Sequence, residues 1–117
     1  MHPITWRDLQ REDQLSEIVE FSYQQTCLIF KHSTRCSLSS IAKMRLEDSW
    51  AFSEDNLRPY ILDLIQYRAI SDRIEQDFGV KHESPQILVI EKGEVTLDAS
   101  HLDITVEEIS SVLVPTE

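Results

Sequence analysis

The apolar positions of this chain change period several times, and each change marks an element. Leu15, Ile18 and Val19 recur at helical spacing behind Asp13, a good capping residue, which predicts a helix starting there. Residues 26–30 (Thr-Cys-Leu-Ile-Phe) then form a short, nearly continuous apolar run rich in β-formers. That pattern predicts a strand buried on both faces. Residues 31–35 read as a polar turn. A helix follows over 36–50, with Leu38, Ile41, Ala42 and the stem of Arg45 expected on its inner side. Residues 57–64 have strand character, and Pro59 implies a late start or an edge position. Ile70, Ile74 and Phe78 lie at i, i+4 and i+8 in a helix over 69–78, which Gly79 stops by supplying a left-handed residue. Residues 86–90 and 95–99 read as a hairpin around the turn 91–94. A last helix over 105–113 is capped by Asp103 or Thr105, and Thr105 with Glu108 has capping-box spacing. Residues 4–6 suggest a short edge strand at the start.

The predicted order is β-α-β-α-β-α-β-β-α. Strands alternating with helices imply an α/β protein, with a central mixed sheet covered by helices on both faces. A βαβ half followed by a ββα half is the arrangement of a thioredoxin-like fold. The 117 residues are read as a single domain, 1–117, large enough to bury a core without staples.

Charge narrows the function. Twenty-one acidic residues against 11 basic ones give a net charge of −10, which disfavours nucleic acid and anionic lipid as partners. No apolar run approaches the roughly 20 residues that span a bilayer. The first ten residues carry no apolar signal core, so a cytoplasmic location is expected. In that reducing compartment the two cysteines, Cys27 and Cys36, are not expected to form a structural disulfide. Their spacing also fits no common zinc pattern.

The chemistry gathers where the buried strand hands over to the helix, at Lys31-His32-Ser33-Thr34-Arg35-Cys36-Ser37-Leu38-Ser39. A thiol opening a helix faces unpaired N–H groups and the positive end of the dipole, both of which favour thiolate over thiol. Arg35 is adjacent, with Lys31 and His32 close in sequence. The thiolate is the attacking species in disulfide exchange. Cys27, inside the apolar run, reads as a core residue. Ser84-Pro85, just ahead of a predicted core strand, is a candidate cis-proline element facing the cysteine, with Ser84 offering backbone groups to a substrate. His32, His82 and His101 lie in separate predicted loops, and their spacing supports no metal site.

Three segments carry a family resemblance: residues 30–36 (Phe-Lys-His-Ser-Thr-Arg-Cys), 78–86 (Phe-Gly-Val-Lys-His-Glu-Ser-Pro-Gln) and 99–105 (Ala-Ser-His-Leu-Asp-Ile-Thr). In order and spacing they resemble the monothiol bacilliredoxins, over about residues 4–113. The resemblance implies a thioredoxin-like fold and removal of bacillithiol, or another low-molecular-weight thiol, from S-thiolated client proteins. It makes Cys36 the attacking thiol and Ser84-Pro85 the cis-proline element, with no cofactor beyond the small-thiol co-substrate. Lys31, His32, Arg35, Ser37 and Ser39 complete the expected substrate-binding set. Lysine and arginine there would meet the carboxylates of bacillithiol's malate group. The chain departs from the family pattern in having Ser37 where proline usually follows the cysteine, and Leu102 where an aromatic often follows the histidine. Ser39 stands where a dithiol redoxin has its second cysteine, so a one-cysteine cycle is expected. Two alternatives stand beside this reading. One is a glutaredoxin-like iron–sulfur carrier, although the glycine and aromatic of that family are missing between Cys36 and Ser39. The other is a non-catalytic interaction module with an inert thiol.

Overall fold

The structure is a computed structural model that describes residues 3–113. The outer residues of the expected 1–117 domain, and the first two of the segment read for a signal, lie outside the described residues. Five strands form one sheet in the order β1-β3-β2-β4-β5: β1 (Arg7–Asp8), β2 (Cys27–His32), β3 (Arg58–Asp63), β4 (Gln86–Glu91) and β5 (Glu94–Ser100). Between them run α1 (Asp13–Phe21), α2 (Ser37–Ser49) and α3 (Arg68–Phe78), and α4 (Val106–Val112) closes the chain. β1 and β2 run parallel to β3, and β4 is antiparallel to both β2 and β5. The expected mixed sheet and element order are both present.

Side chains alternate along the central strands and divide the core in two. Leu28 and Phe30 of β2, with Ile87 and Val89 of β4, pack against Ala42, Leu46 and Ile109 from α2 and α4. Cys27 and Ile29, with Leu88 and Ile90, pack against Leu15, Ile18, Ile70 and Ile74 from α1 and α3. This is the two-faced burial that the apolar run 26–30 predicts for β2, and β4 shares it. A register shift between Val89 and Ile90 inserts Thr96 into β5. Consequently Val95 packs with the α1/α3 cluster, while Leu97 packs with the α2/α4 cluster.

Pro59 sits inside β3, paired with Leu28. Arg58 donates its N–H to Thr26 on the β2 side, whereas Leu9 donates to Ile61 on the β1 side. Alternation therefore turns the Pro59 nitrogen toward β1, which pairs only with Tyr60 and Ile61 and ends before reaching it. The missing donor costs no ladder bond. Gly79 adopts φ 67° after α3, and Lys92 and Gly93 (φ 51° and 79°) make a two-residue hairpin turn, both as the sequence predicts. Thr105, rather than Asp103, caps α4 by accepting from the Glu108 N–H at 3.1 Å.

Several expectations are corrected. The first strand is Arg7–Asp8 rather than 4–6, because the Trp6 indole turns inward, meets Phe30 edge to face and donates to Glu47 at 2.8 Å. Asp13 does not cap α1. The Gln14 side chain instead accepts from the Gln10 and Arg11 N–H groups at 2.7 and 2.9 Å. The buried face of α2 is Ser39, Ala42 and Leu46, while Leu38 and Ile41 stay exposed. That phase is set by the Ser39 hydroxyl, which bonds into the end of β2.

Candidate active site

β2 runs two residues further than the apolar pattern suggests, so Lys31 and His32 are strand residues and only 33–35 form the turn. Hydrogen bonding shapes that turn: the Cys36 N–H donates to the Ser33 carbonyl at 3.2 Å. Cys36 itself is the N-cap residue of α2, in extended conformation (φ −111°, ψ 119°) and half-buried. Its carbonyl accepts from the N–H groups of Ser39 and Ser40. The thiol thus stands at the mouth of a 13-residue helix, at the carboxyl end of a central strand. Arg35 and Ser37 flank it, both exposed.

Strand alternation separates the two basic neighbours. His32 follows Leu28 and Phe30 on the α2 face, with its ring 5.6 Å from that of Phe30. Its Nδ1 lies 2.6 Å from the Ser39 hydroxyl, which also accepts from the Ser33 N–H at 3.0 Å. The hydroxyl oxygen, with two lone pairs and one proton, thus links the Ser33 backbone to the His32 ring. Burial holds the His32 pKa below its ordinary value and Lys43 pushes the same way, against Asp63 and Glu47. Ser39 is wholly buried. It occupies the second-cysteine position as a structural hydroxyl, not as the substrate contact expected from sequence.

Lys31 requires the larger correction. It shares the α1/α3 face with Cys27 and Ile29 and is wholly buried, so its ammonium does not reach the carboxylates of a bound small thiol. Nζ donates to the Ser71 carbonyl at 3.2 Å and lies 3.3 Å from His82 Nδ1. Burial lowers its pKa, opposed by Glu75 and Asp72.

Antiparallel pairing of β2 with β4 matches Lys31 to Gln86, which brings the segment just before β4 to the end of β2. That segment holds the Ser84–Pro85 peptide, which is cis as expected. Ser84 is half-exposed and Pro85 buried. The His101 N–H donates to the Pro85 carbonyl at 3.2 Å, so the third sequence segment is tied to the second. His101 holds φ 55°, a conformation that favours glycine. The three histidines do not converge: His32 bonds Ser39, His82 lies beside Lys31, and the His101 side chain is exposed. Among the described residues, no group of three His, Cys, Asp or Glu side chains is placed to hold a metal ion.

A cavity of about 210 Å³ opens beside His32, lined by Asp8, Gln10, Asp63 and Tyr67 among others. Its two carboxylates disfavour an anionic ligand group. Cys27 is fully buried, and burial raises its thiol pKa to about 11, against weaker pulls from Arg58 and Arg7. Sequence reasoning missed Ser71 and Glu75, which face Lys31 and the 82–86 segment from α3. Their only signal was position, one residue after the apolar pair Ile70 and Ile74. No helix among the described residues is long and apolar enough to cross a membrane.

Comparison with known proteins agrees with this geometry. A solved structure provisionally described as an oxidoreductase with a thioredoxin fold is 30% identical, with 89% of each chain covered and a TM-score of 0.77. Thioredoxin from Malassezia sympodialis (Mala s 13) is 15% identical, covering 95% of this chain and 90% of its own, with a TM-score of 0.70. Thioredoxin from Trypanosoma brucei brucei is 11% identical, covering 86% and 81%, with a TM-score of 0.69. The last two show the fold alone. The family model described as monothiol bacilliredoxin BrxC matches residues 7–109. This chain, thioredoxin-like in fold and with thiol–disulfide redox function supported by family and fold, belongs to the monothiol bacilliredoxins.

Proposed function

We propose that the chain removes bacillithiol, or a comparable low-molecular-weight thiol, from client proteins joined to it in a mixed disulfide. The Cys36 thiolate attacks the small-thiol sulfur of the client's mixed disulfide. The client sulfur leaves as a thiolate and takes up a proton, and Cys36 carries the small thiol. A second small-thiol anion then attacks that adduct, giving the symmetric small-thiol disulfide and regenerating Cys36. No net oxidant is needed, because one disulfide is exchanged for another at each step.

One observation carries the reading. Of the two thiols, only Cys36 lies at a half-exposed helix start, and the residue three positions on is a buried serine. No second thiol stands there to resolve the adduct internally, so an external thiol is required. The cis Ser84–Pro85 segment offers backbone groups for the client chain, and Arg35, exposed beside the thiol, suits the carboxylates of the small thiol.

The test uses a protein bearing a bacillithiol mixed disulfide as substrate. Intact mass should show the small thiol moving to Cys36, and Cys36→Ser should leave the client modified. Clearance of the client by Cys36→Ser at the wild-type rate overturns the proposal. Arg35→Gln should raise KM about threefold for a bacillithiolated client, as expected for an exposed charge contact.

A further inference from the structure

We infer that buried Lys31 and half-buried His82 form a brace that positions the Ser84–Pro85 segment for substrate. Both are positioning residues, since neither reaches the reacting sulfur. The inference rests on the reading that this segment contacts the client.

A lysine buried in a central strand is costly unless its donors are satisfied. Lys31 is wholly buried, and its ammonium meets the Ser71 carbonyl of α3 and Nδ1 of His82. It has no carboxylate within salt-bridge distance among the described residues. An ammonium donating to Nδ1 requires a neutral ring, and burial together with Lys31 itself holds the His82 pKa below its ordinary value. The Ser71 hydroxyl approaches the same nitrogen at 3.3 Å.

The same short loop is fixed from two further directions. The His82 N–H donates to Glu75 at 2.6 Å, which anchors the loop to α3 a turn beyond Ser71. Gln86, almost wholly buried beside Lys31 in the sheet, donates from its amide to the Lys81 carbonyl at 2.9 Å. Residues 81–86 are therefore held from α3, from β2 and from their own strand, and Ser84–Pro85 lies in the middle of that span. Lys31 is the contact that joins the loop to the strand leading to Cys36. Removing its ammonium takes away the side-chain contact from β2 and leaves His82 held through Glu75 and Ser71 of α3 alone, while Cys36, at the start of α2 on the other sheet face, keeps its surroundings.

The test compares the full-length protein with Lys31→Met, His82→Leu and His82→Gln, using a bacillithiolated protein as substrate. Lys31→Met and His82→Leu should each raise KM by about tenfold with kcat changed less than about twofold, as for a misplaced binding segment. The two together should raise it no more than either alone. His82→Gln keeps an acceptor for the ammonium and should stay within about threefold of wild type. Alkylation of Cys36 by iodoacetamide should be unchanged in all three. Amide hydrogen exchange should speed up at residues 82–86 of Lys31→Met and remain as in wild type over 37–49.

Unchanged exchange at 82–86 in a folded Lys31→Met overturns the brace. If Lys31→Met does not fold, the half-exposed His82→Leu carries the same readouts. Faster exchange with an unchanged KM overturns its role in binding. If the wild-type protein itself transfers no bacillithiol to Cys36, the reading of the site fails, and the binding role fails with it.

Discussion

The two cysteines of this chain lie nine positions apart around one strand and could hardly differ more. Cys27 opens β2 with its side chain sealed among Ile29, Ile90 and the α1/α3 residues, and its sulfur approaches the Gln25 carbonyl at 3.5 Å. Cys36 stands past the other end of the same strand, at a helix start, half-exposed, within a polar turn. The residue type is the same, so position in the fold decides which thiol can meet a disulfide. A strand interior removes a sulfur from water and from partners, whereas the strand-to-helix corner presents it to both.

The sharpest way to break this comparison is to delete each thiol in turn. Cys36→Ser should lower exchange on the order of 10³-fold or more, as loss of a nucleophile does. Cys27→Ser should leave the rate within about twofold, because substitutions away from a site rarely alter it. Equal losses, read by intact mass of the client, would end the argument. A smaller effect should appear in labelling. At pH 8 in the folded protein, iodoacetamide should modify Cys36 at least about 100-fold faster than Cys27, as access and thiolate fraction dictate. Peptide mapping after timed quenching reads this directly, and comparable labelling of both thiols would contradict the assignment.

Smaller still are the stability effects. Ser39→Ala removes the acceptor of the Ser33 N–H and the hydrogen-bond partner of His32 Nδ1, and should cost about 1–3 kcal/mol by urea unfolding. An unchanged midpoint would show that the hydroxyl does not hold the corner together. Cys27→Ala should cost about 1 kcal/mol at pH 7, the ordinary price of trimming a core side chain. Its pH dependence is more informative. With the native thiol held up to about 11, the folded state keeps a proton that the unfolded chain releases near 9. Wild-type stability should therefore fall as pH rises between those values, and Cys27→Ala should decline less steeply. Parallel curves over pH 8 to 11 would remove Cys27 as a source of the slope.

The sequence was most legible where one strong local rule applied. The mostly apolar run at 26–30 identified a strand buried on both faces, residues 86–90 read as a hairpin strand, and the faces of both alternate as period two requires. Gly79 ended α3, Thr105 capped α4, and the hairpin formed around Lys92 and Gly93. The site's backbone was legible too: a thiol after a strand, a serine three residues on, and a cis Ser84–Pro85 before another strand. Reading failed where a polar residue was taken as a boundary. Lys31 resembles the start of a turn, yet β3 continues pairing up to Asp63, so β2 extends to His32. The inner face of α2 was misphased for a related reason. Its apolar residues form no single stripe, and a buried hydroxyl, Ser39, fixes the helix's rotation.

By itself the sequence determined the order of elements, the strand-to-helix corner that carries Cys36, and the absence of a thiol three residues later, because these depend on local patterning and on residue identity. Tertiary structure alone decided which face each strand residue joins. It sent Lys31 to α3 and His82, sent His32 to Ser39, and brought Pro85 and His101 together. Those outcomes depend on pairing between segments far apart in the chain, and one residue's difference in strand register reverses them.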